Sequence, residues 1–179
     1  MFLYKQIKFE YEDEITAQLL DIVKEHNKDL VISKAFDITL IKECVPKLYE
    51  QFLDQNIQIE IFREFVSQPN AGLGIHKDGT PEFPKYLALN WPVENCEGTR
   101  MLWWELNKDA QVAIDTVDVA FKSYNSLKFY SESDAVKVGE FEIVKPTLVN
   151  VGAYHSVVNG PNIRRMVSFR FKPEPLHLL

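Results

Sequence analysis

Ile57-Gln58-Ile59-Glu60-Ile61 marks the point where the chain changes character. Apolar and polar residues alternate there with period two, the pattern of a strand that buries one face. Short alternating or apolar runs then recur at 57–66, 72–77, 85–91, 100–106, 127–131, 138–144, 147–151, 155–158 and 164–172. Turn-forming clusters separate them, among them Pro69-Asn70-Ala71-Gly72, Asp78-Gly79-Thr80-Pro81 and Asn159-Gly160-Pro161-Asn162. Many short strands at this spacing predict a sandwich or barrel. The stretch 107–126 is less regular, with Val112, Ile114, Val117 and Val119 set among Asp109, Asp115 and Asp118, and suits either another strand pair or a lid.

Upstream the period changes to that of a helix. Ile15, Leu19, Ile22 and Val23 fall on one face at 3.6 residues per turn, and no Gly occurs from Met1 to Asn70. A second helical stretch is expected from Asp37, a suitable N-cap, and Pro46 either breaks it or opens a new turn before Leu48, Phe52 and Leu53. These helices are expected on the outside of a sheet. The expectation is one mainly β domain over residues 1–179, with 1–56 as helical support and 57–172 as the core.

The whole chain has 179 residues, 46% hydrophobic and 26% charged, which suits a globular protein and excludes the disordered and membrane classes. Its 20 Lys and Arg against 26 Asp and Glu give a formal charge of −6, spread along the chain. Such a field argues against a nucleic-acid partner. With no basic leader before an apolar run and no stretch long enough to span a bilayer, the expected setting is cytoplasmic and off the membrane. Cys44 and Cys96 are too few for a disulfide framework and are expected as reduced thiols.

The chemistry concentrates at Ile75-His76-Lys77-Asp78-Gly79. His76 and Asp78 stand two positions apart, so in an extended strand both side chains leave the same face and a metal can bridge them. His155, at the start of a late strand, is the candidate third ligand. Two imidazoles and one carboxylate form the facial triad that leaves positions on iron open for a chelating co-substrate and O2. Downstream, Arg164-Arg165-Met166-Val167-Ser168-Phe169-Arg170-Phe171 supplies cations that could grip an anionic second ligand.

His76-x-Asp78, then His155, then Arg164 with Ser168 four residues on, resembles the Fe(II)/2-oxoglutarate-dependent oxygenases, particularly the small prolyl-hydroxylase-like and aspartyl/asparaginyl-hydroxylase-like members. The segment Tyr86 to Cys96 and the strand at Trp103-Trp104 share in that resemblance, which spans roughly Ile57 to Lys172. It implies a double-stranded β-helix, the jelly-roll or cupin-like barrel, with the metal at its open end. It also implies oxidative decarboxylation of 2-oxoglutarate to succinate and CO2, coupled to hydroxylation of a small molecule or a protein side chain.

In the family a basic residue holds the distal carboxylate of 2-oxoglutarate, and here Arg164, Arg165 and Arg170 compete for that role. Strand parity sets Arg164, Met166, Ser168 and Arg170 on one face and Arg165, Val167, Phe169 and Phe171 on the other. The second set suits burial under helices, which selects Arg164 as the anchor with Ser168 as its hydroxyl partner. Related hydroxylases with the Arg one position later keep Arg165 open. The same parity directs Tyr86, Ala88 and Asn90 inward, and by analogy Tyr86 and Asn90 contact 2-oxoglutarate. Trp91, Trp103 and Trp104 are expected in the core, and His26 and His177 in solvent. Two other functions fit the residues: a cupin-like metal enzyme that does not use 2-oxoglutarate, and a non-catalytic β-sandwich binding module in which the histidines lie apart.

Overall fold

The computed structural model describes residues 2–78, 87–118 and 126–179. Twelve strands form two antiparallel six-stranded sheets. The first sheet has the order β1 (Tyr4–Gln6), β10 (Thr147–Asn150), β5 (Leu87–Glu94), β12 (Arg164–Phe171), β3 (Ile59–Ser67), β2 (Ser33–Phe36). The second has the order β7 (Val112–Asp118), β8 (Ser126–Tyr130), β4 (Gly72–His76), β11 (His155–Val158), β6 (Arg100–Leu106), β9 (Ala135–Glu142). Apart from β2–β3 and β7–β8, neighbours in each sheet are not consecutive in the chain, as in a jelly roll.

Alternation along the strands divides the interior into layers. Leu87, Leu89, Trp91, Val167, Phe169 and Phe171 leave one face of the first sheet and pack under the helices α1 (Glu12–His26), α2 (Thr39–Cys44) and α3 (Pro46–Asp54). The helices supply Ile15, Leu19, Ile22 and Val23 from α1, Ile41 from α2 and Leu48 and Phe52 from α3. Residues of the opposite parity, Ala88, Val149 and Met166, join Met101 and Trp103 of the second sheet in a separate cluster between the sheets. The outer and inner faces of β5 and β12 are therefore those that parity predicted. Trp91, Trp103 and Trp104 are all buried, and each indole N–H is satisfied, by the Thr16 hydroxyl at 2.8 Å, the Asn150 carbonyl at 2.9 Å and the Ser156 hydroxyl at 2.8 Å respectively.

Two features depart from a purely helical first third. Tyr4–Gln6 and Ser33–Phe36 are strands that pair with β10 and β3 and form both edges of the first sheet. Asp37 caps from the side, its Oδ1 accepting the Thr39 N–H at 2.9 Å, and Pro46 opens α3 at a position where its missing N–H costs nothing. The uncertain stretch 107–126 contains β7 and the first residue of β8, which pair with each other. Among the described residues no helix is long and apolar enough to cross a membrane.

Candidate metal centre

β4 ends at His76 and β11 begins at His155, and the two residues face each other in register. Directly opposed residues share a face, so both imidazoles point between the sheets, with ring centroids 4.3 Å apart. Asp78 follows beyond the end of β4, its N–H held by the Val151 carbonyl at 2.8 Å. His76, Asp78 and His155 each offer one ligand atom, and these atoms lie within 4.8 Å of one another. The β-sandwich alternative expected the two histidines apart, and the strand pairing brings them together instead.

Each imidazole is oriented by its own backbone. The Nδ1 of His76 lies 2.7 Å from the Gly74 carbonyl, and the Nδ1 of His155 lies 2.9 Å from the Ala153 carbonyl. Donation from Nδ1–H leaves the Nε2 lone pair on both rings for a metal, the usual support given to histidine ligands. Burial pushes the His155 imidazole down to about 4, with the neighbouring His76 acting in the same direction, so it is neutral at physiological pH. Burial alone would raise the Asp78 carboxyl, but the His76 ring beside it and the Arg170 guanidinium outweigh burial and hold it well below the usual carboxylate range. The protonation states are those that a cation needs. The donor set fits a 2-His-1-carboxylate metal site.

Arg170 is the cation at this centre. Its Nη2 donates to Asp78 Oδ2 at 2.6 Å and its Nη1 to the Ser168 hydroxyl at 2.6 Å, while Ser168 donates to Asn90 Oδ1 at 2.7 Å. A polar row of Asn90, Ser168 and Arg170 thus ends on the carboxylate. Ser168, expected beside Arg164, bonds to Arg170 and Asn90. Tyr86 lies outside the described residues. Arg63 of β3 faces Ser168 in register and therefore lies on this same inner face, donating to the Ser33 hydroxyl at 2.8 Å. The sequence reading passed over Arg63. Its signal was a lone cation between Ile61 and Phe65, the other inward positions of that strand.

The other two arginines have different surroundings. Arg165 points to the helix face, where it donates to Glu64 Oε1 at 2.8 Å and to the Val23 carbonyl at 3.2 Å, with Glu94 Oε2 3.3 Å from its Nε. Arg164 points inward and donates to the Ser67 hydroxyl at 2.9 Å. Its Nε has no hydrogen-bond partner, and among the described residues no carboxylate pairs with it, although it is only 6% exposed. Burial pulls its pKa down.

No family model and no curated protein matches the chain. Solved structures do. A prolyl-4-hydroxylase from Pseudomonas putida superposes with a TM-score of 0.50 at 10% identity, covering 94% of this chain and 91% of that one. A truncated form of the viral collagen prolyl hydroxylase from Paramecium Bursaria Chlorella virus-1 gives a TM-score of 0.50 at 11% identity, covering 95% and 88%. At such identities the likeness is one of fold: the chain has the double-stranded β-helix fold of the Fe(II)/2-oxoglutarate-dependent oxygenases.

Proposed function

We propose that this protein is a non-haem Fe(II)/2-oxoglutarate-dependent oxygenase that hydroxylates a small molecule or a protein side chain. The observation that carries the reading is the triad itself: His76, Asp78 and His155 converge with both Nε2 atoms presented and the carboxylate ionised. Such a triad leaves several positions on a metal open. When bound there, ferrous iron with 2-oxoglutarate and O2 supplies oxidative decarboxylation coupled to oxidation of a C–H bond.

The chain's own residues have distinct tasks in this reading. His76, Asp78 and His155 hold the metal. Arg170 binds Asp78 Oδ2, orienting the carboxylate that would hold the metal. Arg164 takes the distal carboxylate of 2-oxoglutarate, because a buried guanidinium without a carboxylate partner is costly until an anion reaches it. Ser168 and Asn90 line the inner face between the arginines. We read residues 1–179 as one domain in which 1–56 support 57–172. A cytoplasmic setting, reducing enough for ferrous iron and for the free thiols of Cys44 and Cys96, suits the chemistry.

Anaerobic addition of Fe(II) and 2-oxoglutarate to the wild-type protein is expected to produce a visible metal-to-ligand charge-transfer band. The band should vanish in His76→Ala and Asp78→Ala, and a wild-type protein without it would refute the oxygenase reading. Succinate release that depends on 2-oxoglutarate distinguishes this activity from that of a cupin-like metal enzyme.

A further inference from the structure

We propose that Phe129 is a positioning residue for the metal centre: its ring fixes the plane of the His76 imidazole, and so the direction in which Nε2 meets a metal. The inference rests on the metal-binding reading of the triad. It gives a task to the β7–β8 hairpin, which that reading leaves unused.

Its basis is a row of residues that crosses the inner face of the second sheet. His155 stands opposite His76 of β4 on one side and opposite Trp103 of β6 on the other. Across β4 from His155, Ile75 pairs with Tyr130 of β8, so the next step of that antiparallel ladder sets Phe129 against His76. Ile114 of β7 in turn opposes Phe129. Directly opposed residues share a face, and the row therefore runs Ile114, Phe129, His76, His155, Trp103. The ring contacts agree with it: the centroids of His76 and His155 are 4.3 Å apart, and those of His76 and Phe129 are 5.4 Å apart with the planes at 45°. Because β8 and β11 flank β4 on opposite sides, Phe129 and His155 hold the His76 ring from opposite sides.

A single hydrogen bond does not fix an imidazole. The Gly74 carbonyl, 2.7 Å from His76 Nδ1, sets the tautomer and pins one corner of the ring, but leaves the plane free to swing about that bond. A ring packed on either side stops the swing. The support around a metal ligand governs how well it holds the ion, and His155 has the matching support from Trp103, whose indole N–H is tied to the Asn150 carbonyl at 2.9 Å.

Gly74 shows that the sequence makes room for Phe129. A Cβ at Gly74 would lie 3.2 Å from Phe129 Cδ1, inside ordinary van der Waals contact. Glycine weakens a strand interior and marks places of close approach. Here it serves His76 twice, by the carbonyl that accepts from Nδ1 and by the missing side chain that lets the Phe129 ring lean in. Phe129 is buried, which keeps the ring in place. A core role alone accounts for an apolar residue at position 129, but not for a glycine two residues before the ligand with the ring seated over it.

The test titrates the full-length protein anaerobically with Fe(II) alone, then adds 2-oxoglutarate to record the charge-transfer band. Phe129→Leu, which keeps apolar bulk but loses the flat ring, is expected to weaken Fe(II) binding about tenfold, the lower end for loss of a ligand's supporting partner, and to displace the band. Phe129→Tyr keeps the ring and should bind Fe(II) as the wild type does. Gly74→Ala, whose methyl pushes the ring away, should act like Phe129→Leu, and the double variant should be no weaker than either single one, because both remove the same contact. Phe52→Leu is the control for lost stability: Phe52 packs on Phe9, Phe169 and Phe171 under the helices, and its variant should be less stable with an unchanged Kd for Fe(II). Wild-type Fe(II) affinity in Phe129→Leu and Gly74→Ala overturns the proposal. So does equal weakening in Phe52→Leu, which would reduce the effect to stability, or a Phe129→Tyr variant as weak as Phe129→Leu. A wild-type protein that binds no Fe(II) instead refutes the metal-binding reading, and the role of Phe129 falls with it.

Discussion

Arg164 and Arg165 are adjacent in sequence, equally buried at 6% exposure, and opposite in circumstance. Arg165 is enclosed by Glu64, Glu94 and the Val23 carbonyl, and Glu64 is itself tied to Asn27 Nδ2 at 2.6 Å. Arg164 has one serine hydroxyl and an unsatisfied Nε. A paired buried charge belongs to the scaffold, here fastening α1 to the first sheet. A buried charge without its anion is, on the function proposed above, a binding element whose other half comes from outside. One strand thus serves both purposes by alternation alone.

The largest expected effect lies on the scaffold side. Arg165→Met should lower the unfolding free energy by about 3–5 kcal/mol, because it leaves Glu64 buried and without its cation. Chemical denaturation of the apoprotein measures this, and a loss below about 1 kcal/mol would remove the distinction between the two arginines.

A second effect concerns the buried imidazole at the metal end. His155 titrates at about 4 in the folded protein against 6.5 for a free histidine. As pH falls, the unfolded chain takes up this proton first, so stability decreases from pH 6.5 down to about 4 and the contribution then levels off. The apoprotein should lose roughly 3 kcal/mol over that window from this group. His155→Gln should flatten the profile there, and an unchanged slope would show that the imidazole is not held neutral.

Arg164→Met should behave unlike its neighbour. Stability without ligand is expected to stay within about 1 kcal/mol of wild type or to rise, since an unsatisfied buried group is removed. The stabilisation conferred by 2-oxoglutarate at one hundred times its Kd, about 2.7 kcal/mol in wild type, should disappear. Thermal unfolding of the metal-loaded protein with and without 2-oxoglutarate reads both quantities. The smallest effect is that of Ser67→Ala, which removes the one side-chain hydrogen bond Arg164 makes among the described residues and should cost about 0.5–1.5 kcal/mol. A much larger cost would mean that Arg164 is scaffold after all.

Much of this was legible in the sequence because burial writes itself as periodicity. Ile15, Leu19, Ile22 and Val23 announced α1, and alternation along 164–171 alone separates Arg164 from Arg165. The spacing of His76 and Asp78 predicted a shared direction, and the two came together with His155 through a strand pairing that no local pattern encodes. What periodicity could not reveal was set by backbone pairing or by stagger between strands. Tyr4–Gln6 is exposed along its length and has too few residues to show a pattern, yet it pairs fully with β10. The contact of Arg170 with Asp78 joins a strand to the turn after another strand, and depends on side-chain reach.

That first short strand has a consequence for handling the protein. Tyr4, Lys5 and Gln6 cover the free edge of β10, and Phe2 and Leu3 extend the cover by accepting hydrogen bonds from the side chain and backbone of Asn150 at 2.9 and 2.8 Å. The next residue, Val151, is the one whose carbonyl holds the Asp78 N–H. Trimming residues 1–6 would bare a row of backbone donors and acceptors open to edge-to-edge association between molecules. It would also loosen Asn150, next to the Val151 carbonyl that holds Asp78, so on the proposed function aggregation and weakened iron retention should arise together from a cut that removes none of the proposed site residues.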